Sequence, residues 1–197
     1  MSDQSQVRDP ISKLNVKSES ISIGGVSAGG QIVAVLQHKA RDGEVPLVLC
    51  MPTVPVTGEW LDYKQYTDSP HRSFHEFHRG PVLPWTRIEY FIKHCVSKCE
   101  AEKLRETWPD WWIAPLKAKN WKGLCDTFIR TAEVDPLRDE GEEYGMKLVA
   151  GGNKVTMKRY PASPHLFAFY DWLAQKRDFD RDSIKALRHA HGTRRVV

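Results

Sequence analysis

A serine lies between two glycines in the pentapeptide Gly25-Val26-Ser27-Ala28-Gly29. A strand-like run from Ser20 to Gly24 precedes it, and an apolar stretch with helical spacing, Gln31 to Lys39, follows it. A tight turn between strand and helix would hold the serine hydroxyl at its apex, where it can act as a nucleophile. We expect glycine at positions 25 and 29 because a Cβ there would collide with the neighbouring strand or helix.

A nucleophilic serine needs a histidine that takes its proton and a carboxylate that fixes the tautomer of that histidine. Asp135 follows a predicted strand at 127–132, and His165 follows a predicted strand at 154–160. Ends of parallel strands meet at one edge of a sheet. We therefore predict that Asp135 and His165 meet Ser27.

Two other carboxylates lie close to Asp135 in the sequence. Asp139 is interpreted as the N-cap of a helix that ends at Gly151 and Gly152. Glu133 is interpreted as a solvated or supporting carboxylate, and it is the alternative candidate for the acid.

Strand-like and helix-like segments alternate along the chain, which predicts an α/β fold with a mostly parallel sheet flanked by helices. Predicted strands cover 20–24, 45–51, 127–132 and 154–160. Predicted helices cover 28–41, 86–106, 139–150 and a terminal segment at 184–189.

These motifs together resemble the hormone-sensitive-lipase group of α/β-hydrolases. The resemblance rests on Gly25 to Gly30 (GVSAGG), Asp135 to Gly141 (DPLRDEG), and Tyr160-Pro161 with His165 shortly after, and it extends from about residue 14 to about residue 190. It implies an α/β-hydrolase fold and a cofactor-free carboxylesterase. By the same resemblance, Ser27 is the nucleophile, His165 the base and Asp135 the acid.

The chain departs from the pattern of that group in three ways. Val26 replaces an aspartate, and Leu166 replaces a small residue after the histidine. The H-G-G-G loop of the group, which supplies most of its oxyanion-hole donors, has no counterpart before Gly25. The resemblance thus implies an N-terminally truncated fold without its first strands. Strand 20–24 would be a sheet edge, and the N–H of Ala28 would be the one oxyanion donor that can be located.

We interpret residues 1–197 as a single domain in which 52–123 includes a cap over the substrate pocket, as in the group that the chain resembles. Most aromatic residues of this segment are expected to pack the cap against the sheet, although they would also suit a bulky substrate. They are Trp60, Tyr63, Tyr66, Phe74, Phe77, Trp85, Tyr90, Trp108, Trp111 and Trp112.

Metal binding is a minor alternative for two groups of residues. Cys95 and Cys99 would share a helix face, and His71, His75 and His78 have helical spacing. The pattern fixes no further ligand for either group. We expect reduced thiols, a solvated cap surface, and neither metal nor cofactor.

Composition limits the other classes of partner. The net charge of +4 is spread along the chain, which argues against nucleic acid. No apolar run is long enough to span a bilayer, and the first residues do not resemble a secretory signal. We therefore expect a cytoplasmic protein, with a homo-oligomer left open.

The predicted function is a serine carboxylesterase that hydrolyses a small or aromatic ester, such as that of a secondary metabolite. One alternative is a truncated remnant that acts as a binding module or an inactive paralogue. Another keeps the fold but catalyses acyl transfer or a lyase reaction.

Overall fold

The computed structural model describes residues 17, 19–95 and 98–192. At its centre is a four-stranded sheet whose strands lie side by side in chain order. They are β1 (Ile21–Val26), β2 (Leu47–Thr53), β3 (Thr127–Val134) and β4 (Val155–Pro164). All three neighbouring pairs are parallel, which confirms the predicted α/β class.

Seven α-helices and four short 3₁₀ helices occur in the described part of the chain, and three of the α-helices pack on the sheet. The three are α1 (Ala28–Asp42), α6 (Arg138–Ala150) and α7 (Ala174–Ala190). The other four α-helices lie between β2 and β3: α2 (Arg72–Phe77), α3 (Trp85–Cys95), α4 (Lys98–Thr107) and α5 (Asp110–Ile113).

The helices α1 and α6 cover one face of the sheet. Ala34 of α1, Ile129 of β3 and Tyr144 of α6 are fully buried in one apolar cluster. The Tyr144 hydroxyl in this cluster is fully paired. It accepts a hydrogen bond from Gln37 Nε2 at 2.6 Å and donates one to the carbonyl of Ala34 at 3.1 Å. The two helices are therefore fixed to each other as well as to the sheet.

The helix α7 covers the opposite face. Leu187 of α7 packs against a cluster that contains Met51 of β2 and Phe128 of β3. The buried Arg130 side chain adds a polar tie, because it donates to the carbonyl of Met51 at 2.9 Å and to Ser183 Oγ at 2.7 Å. Burial lowers the pKa of this guanidinium to about 10, so it stays protonated at neutral pH.

The segment between β2 and β3 packs on the start of α6. Tyr63, Phe74, Leu83 and Ile88 form a buried cluster with Leu137. Tyr63 and Phe74 are among the aromatic residues expected to pack here. The role of this segment as a cap stays a prediction.

Several elements differ in extent from the sequence predictions. β2 is shifted by two residues toward Thr53, β4 continues to Pro164, and the helix predicted over 86–106 corresponds to α3 and α4. The terminal segment at 184–189 lies in a helix as predicted, and this helix, α7, begins at Ala174. The first half of α7 is rich in charge and shows little apolar periodicity, although ion pairs such as Lys176 with Asp180 and Arg181 with Asp178 support it.

The strand β1 is the outer strand of the described sheet, and within that part of the chain it pairs only with β2. The ring of His191, just after α7, contacts the hydroxyls of Ser20 and Ser22 beside this strand. None of the helices in the described ranges combines the length and apolarity that crossing a membrane requires.

Candidate active site

The turn between β1 and α1 holds Ser27 in an unusual backbone conformation, with φ of 57° and ψ of −117°. Positive φ is rare for residues other than glycine and marks local strain. Two hydrogen bonds fix the turn: Ser27 N donates to the carbonyl of Thr53 at 2.9 Å, and Gln31 N donates to the carbonyl of Ser27 at 3.1 Å. The serine is thereby anchored to the end of β2.

The structure brings Ser27, His165 and Asp135 together. His165 Nε2 lies 2.9 Å from Ser27 Oγ, and His165 Nδ1 lies 2.8 Å from Asp135 Oδ2. Asp135 is fully buried and His165 nearly so. With the proton on Nδ1, the ring donates to the carboxylate and accepts from the serine hydroxyl. This is the geometry needed to withdraw the serine proton.

The turn after β3 fixes the orientation of Asp135. Its Oδ1 accepts the N–H of Leu137 at 3.0 Å, and its carbonyl accepts the N–H of Arg138 at 3.1 Å. Oδ2 is therefore left for His165. The alternative acid, Glu133, uses Oε2 to accept the N–H of Ala162 at 2.6 Å. The contacts thus favour Asp135 over Glu133.

The prediction that Asp139 caps α6 is wrong. The helix begins at Arg138, its N-cap is Leu137, and Asp139 lies inside the first turn. Its carboxylate accepts the N–H of Ser73 at 2.7 Å, and Ser73 Oγ donates to the carbonyl of Pro136 at 2.6 Å. The Asp139 carboxylate therefore binds a residue of α2 that is distant in the sequence, and a local capping pattern cannot reveal such a partner.

His165 lies just beyond β4. The next residue, Leu166, has a φ of 62° and lines the cavity beside Ser27. Ala28, the residue after the serine in the chain, is the first residue of α1. The first N–H groups of a helix have no intrahelical acceptor, so the N–H of Ala28 is available as a donor.

We call the turn around Ser27, from Gly25 to Gly30, the elbow. The prediction that Gly25 and Gly29 leave no room for a Cβ is only partly correct. A Cβ at Gly25 would overlap the carbonyl of Gly29, as expected for close backbone contact. A Cβ at Gly29 itself would meet nothing within 4 Å. The second crowded position is Gly30, where a Cβ would lie 2.8 Å from Pro55 Cα and 3.1 Å from the carbonyl of Thr53. The helix packs on β2 through Gly30.

A cavity of about 510 Å³ opens onto Ser27 and His165. Most of its walls are apolar. They come from the end of β1, the start of α1, the loop after β2, the residue before α6, the segment before α3, α3 itself and the residues after β4. The lining residues are Val26, Ser27, Ala28, Gln31, Val56, Trp60, Val82, Leu83, Arg87, Ile88, Phe91, Leu137, His165 and Leu166. Such a site fits an apolar small molecule with one reactive polar group.

Sequence reasoning missed Glu140, a fully buried carboxyl group beside the site. Its Oε1 accepts the N–H groups of Thr57 at 2.7 Å and Gly58 at 3.2 Å, and its carbonyl accepts Thr57 Oγ1 at 2.8 Å. It therefore ties the loop after β2, which carries Val56 and Trp60, to the start of α6. One sign of this residue was present in the sequence, since Glu140 is the glutamate of the DPLRDEG motif. That glutamate has no role in a serine triad.

Burial raises the pKa of Glu140 to about 8 against the 4.5 of a free glutamate, and the negative charge of Asp135 adds to the effect. The two backbone donors on Oε1 act in the opposite direction. Oε2 is buried without a hydrogen-bond partner in the described structure. Glu140 is therefore mainly protonated and neutral at pH 7.

The three histidines considered as metal ligands bind separate partners. His71 Nε2 contacts Glu143 at 2.8 Å, His75 contacts the carbonyl of Ser69, and His78 contacts the carbonyl of His75. No group of three or more potential metal ligands occurs in the ranges that the structure describes. The side chains of Cys95 and Cys99 lie outside the described residues.

A family model for the α/β-hydrolase fold matches residues 3–169, which is most of the chain. The chain belongs to the α/β-hydrolase fold family. The resemblance deduced from GVSAGG and DPLRDEG is therefore confirmed, and the parallel sheet with helices on both faces is the part of this fold that is described here.

Individual relatives of this α/β-hydrolase include esterases. It is 34% identical over 146 residues to carboxylesterase NlhH of Mycobacterium tuberculosis, covering 74% of this chain and 42% of that protein. It is 30% identical over 180 residues to an AB hydrolase superfamily protein of Schizosaccharomyces pombe, and this match covers 88% of this chain and 50% of that protein. The solved structure of a Pyrobaculum calidifontis esterase superposes with a TM-score of 0.78 at 27% identity, covering 94% of this chain and 57% of that one. The chain spans about half the length of the curated relatives it matches.

Alanine substitutions at two glycines of the elbow should have opposite effects. Gly25→Ala should lower the free energy of unfolding by about 1–3 kcal/mol or more, because its Cβ meets the Gly29 carbonyl. Gly29→Ala should leave it unchanged or raise it by up to about 1 kcal/mol, because alanine is the better helix former and the space is open. Urea unfolding of both variants measures this. Equal losses would contradict the assigned packing.

Replacing Glu140 should change how stability depends on pH. Because its pKa is raised on folding, Glu140 contributes stability that is complete below about pH 4.5 and is lost as pH rises through about 8. Glu140→Gln copies the neutral form, so its advantage over the wild type should grow by up to about 1.4 kcal/mol per pH unit in this interval.

Urea unfolding at pH 5, 6, 7 and 8 measures this difference. The control is Glu89→Gln on α3, where the carboxylate is solvated and pairs with Lys93. If the wild type and Glu140→Gln keep a constant difference in unfolding free energy across the series, Glu140 does not change its protonation on folding.

Proposed function

We propose that this α/β-hydrolase is a serine carboxylesterase that hydrolyses a small, mainly apolar or aromatic ester through an acyl-enzyme. The observation that carries the proposal is the Ser27–His165–Asp135 geometry at an apolar cavity. The names of its relatives, among them a carboxylesterase and an arylesterase, support the same reaction class.

Acylation begins when Ser27 Oγ attacks the carbonyl carbon of the ester while its proton moves to His165 Nε2. The Asp135 carboxylate stabilises the resulting imidazolium without taking its proton. The carbonyl oxygen becomes an oxyanion, which the N–H of Ala28 stabilises. Collapse of the tetrahedral intermediate breaks the C–O bond, and the leaving alcohol takes the proton from His165.

Deacylation repeats these steps with water as the nucleophile. His165 removes a proton from the water, which attacks the acyl carbon, and the tetrahedral intermediate returns the bonding pair to Ser27 Oγ. The serine regains its proton from His165, and the carboxylic acid leaves. Each backbone donor in an oxyanion hole contributes about 10²–10³ in turnover, so the rate depends on the donors that join Ala28.

Four further features of the proposed function rest on the sequence alone. They are a cytoplasmic location, an ester of a secondary metabolite as substrate, the absence of nucleic-acid partners and the absence of a cofactor. Hydrolysis rather than acyl transfer is the reaction proposed, and product analysis with added alcohol acceptors distinguishes the two.

A fluorophosphonate probe tests the proposal directly, because it reacts covalently with activated serines. We expect labelling of the full chain to disappear in Ser27→Ala and to fall by about 10²-fold or more in His165→Ala, which lacks the base. Ser20→Ala, outside the cavity, should label like the wild type. Gel fluorescence and mass spectrometry of the labelled peptide give the measurement.

Hydrolysis of p-nitrophenyl butyrate by the same variants should follow the labelling. Labelling that persists in Ser27→Ala would contradict the assignment of the nucleophile. A folded wild-type chain that neither labels nor hydrolyses would support the alternative function, a binding module that keeps the cavity without turnover.

A further inference from the structure

The cavity beside Ser27 contains one permanently charged side chain among its lining residues, that of Arg87. The rest of the wall is apolar except for Ser27, Gln31 and His165, and Gln31 Nε2 already donates to the carbonyl of Ile113 at 2.7 Å. Arg87 is exposed, so its guanidinium can meet a ligand that enters the cavity from solvent. The guanidinium is the kind of placed polar group that fixes the orientation of a ligand.

Arg87 lies in the first turn of α3, and its position is set by the turn before the helix. Its Nη1 donates to the carbonyl of Val82, a cavity residue whose φ is 69°. A guanidinium has five N–H donors in a planar fork. One of them is occupied by Val82, so the side chain is oriented while most of its donors stay available.

No carboxylate in the described ranges lies within ion-pair distance of Arg87. Five other arginines in these ranges each pair with an aspartate or glutamate: Arg41, Arg72, Arg138, Arg159 and Arg181. Arg79, Arg130 and Arg177 are without such a pair there as well, but of these four arginines Arg87 is the one that lines the cavity. A ligand with an anionic group would supply the partner that Arg87 lacks among the described residues.

We infer that the cavity accepts esters that also carry a carboxylate, and that Arg87 binds this group while the ester carbonyl lies at Ser27. The inference rests on the proposed esterase function and narrows its substrate class. Arginine is the residue best suited to this task, because its fork binds both oxygens of a carboxylate. The part of the substrate between the two groups is apolar, since Leu83, Ile88 and Val56 line the wall.

The substrate class is thus a half-ester of a dicarboxylic acid, or an ester of a hydroxy or phenolic acid, with an alkyl or aryl spacer. Hydrolysis of a half-ester would release a dicarboxylate and an alcohol. Arg87 would then be a specificity-determining residue, which acts on substrate binding and leaves the chemistry at Ser27 unaltered.

Direct binding tests the inference without depending on turnover. The full chain carrying Ser27→Ala is titrated by calorimetry with 4-phenylbutyrate and, separately, with its neutral amide, 4-phenylbutyramide. We expect the carboxylate to bind about 5–10-fold more tightly than the amide, the effect of about 1–1.4 kcal/mol that a partly solvated, bidentate charge pair supplies.

Arg87→Gln in the same background should abolish this preference, and Arg87→Lys should retain part of it. The control is Arg79→Gln, an exposed arginine on the same segment that does not line the cavity, and it should leave the preference intact. Thermal unfolding of each variant shows that the fold is kept. Raising the salt concentration should weaken the binding of the carboxylate more than that of the amide.

The inference is overturned if acid and amide bind equally, if the preference survives Arg87→Gln, or if neither compound binds the folded chain. Its failure is separable from failure of the esterase function. Probe labelling at Ser27 with no carboxylate preference would retain the esterase and remove the substrate class. A carboxylate preference without labelling would show an anion-selective binding cavity.

Discussion

The packing of backbone against backbone at the turn after β1 is the constraint on which the candidate site depends. Gly25 lies under the carbonyl of Gly29, and Gly30 lies against the end of β2, so the chain reverses within a few residues. This reversal forces Ser27 to positive φ and lifts its side chain out of the sheet. The contacts of His165 with Ser27 and with Asp135 depend on this position of the serine.

A second set of contacts makes the surroundings of Ser27 act as one unit. Glu140 and Asp139, neighbours in the first turn of α6, bind the loop after β2 and the start of α2, respectively. The same turn follows directly on Asp135. The cavity wall and the acid therefore share one support, and a displacement of α6 would disturb both. The neutral state of Glu140 avoids a second buried negative charge near Asp135.

Much of this could be predicted from sequence because it is local or ordered along the chain. The elbow, the alternation of strands and helices, and the candidate triad of Ser27, Asp135 and His165 each leave a pattern of residue types at defined positions. The predictions that were wrong concern contacts between segments that are distant in the sequence. The partner of Asp139 is Ser73, and neither the open space at Gly29 nor the crowding at Gly30 can be deduced from their identity. The first turns of α7 could not be deduced from the sequence, because ion pairs rather than an apolar stripe support them.

The spatial order of the strands, which matches their order in the chain, has a consequence for biosynthesis. Of the four described strands, a ribosome delivers β1 with Ser27 before the others and β4 with the following His165 after them, and each new strand can add to the edge left by the one before. The hydroxyl of Ser27 thus emerges long before the imidazole of His165 that it contacts in the folded chain. A nascent or prematurely terminated polypeptide that ends before β4 therefore lacks the contact between Ser27 and His165.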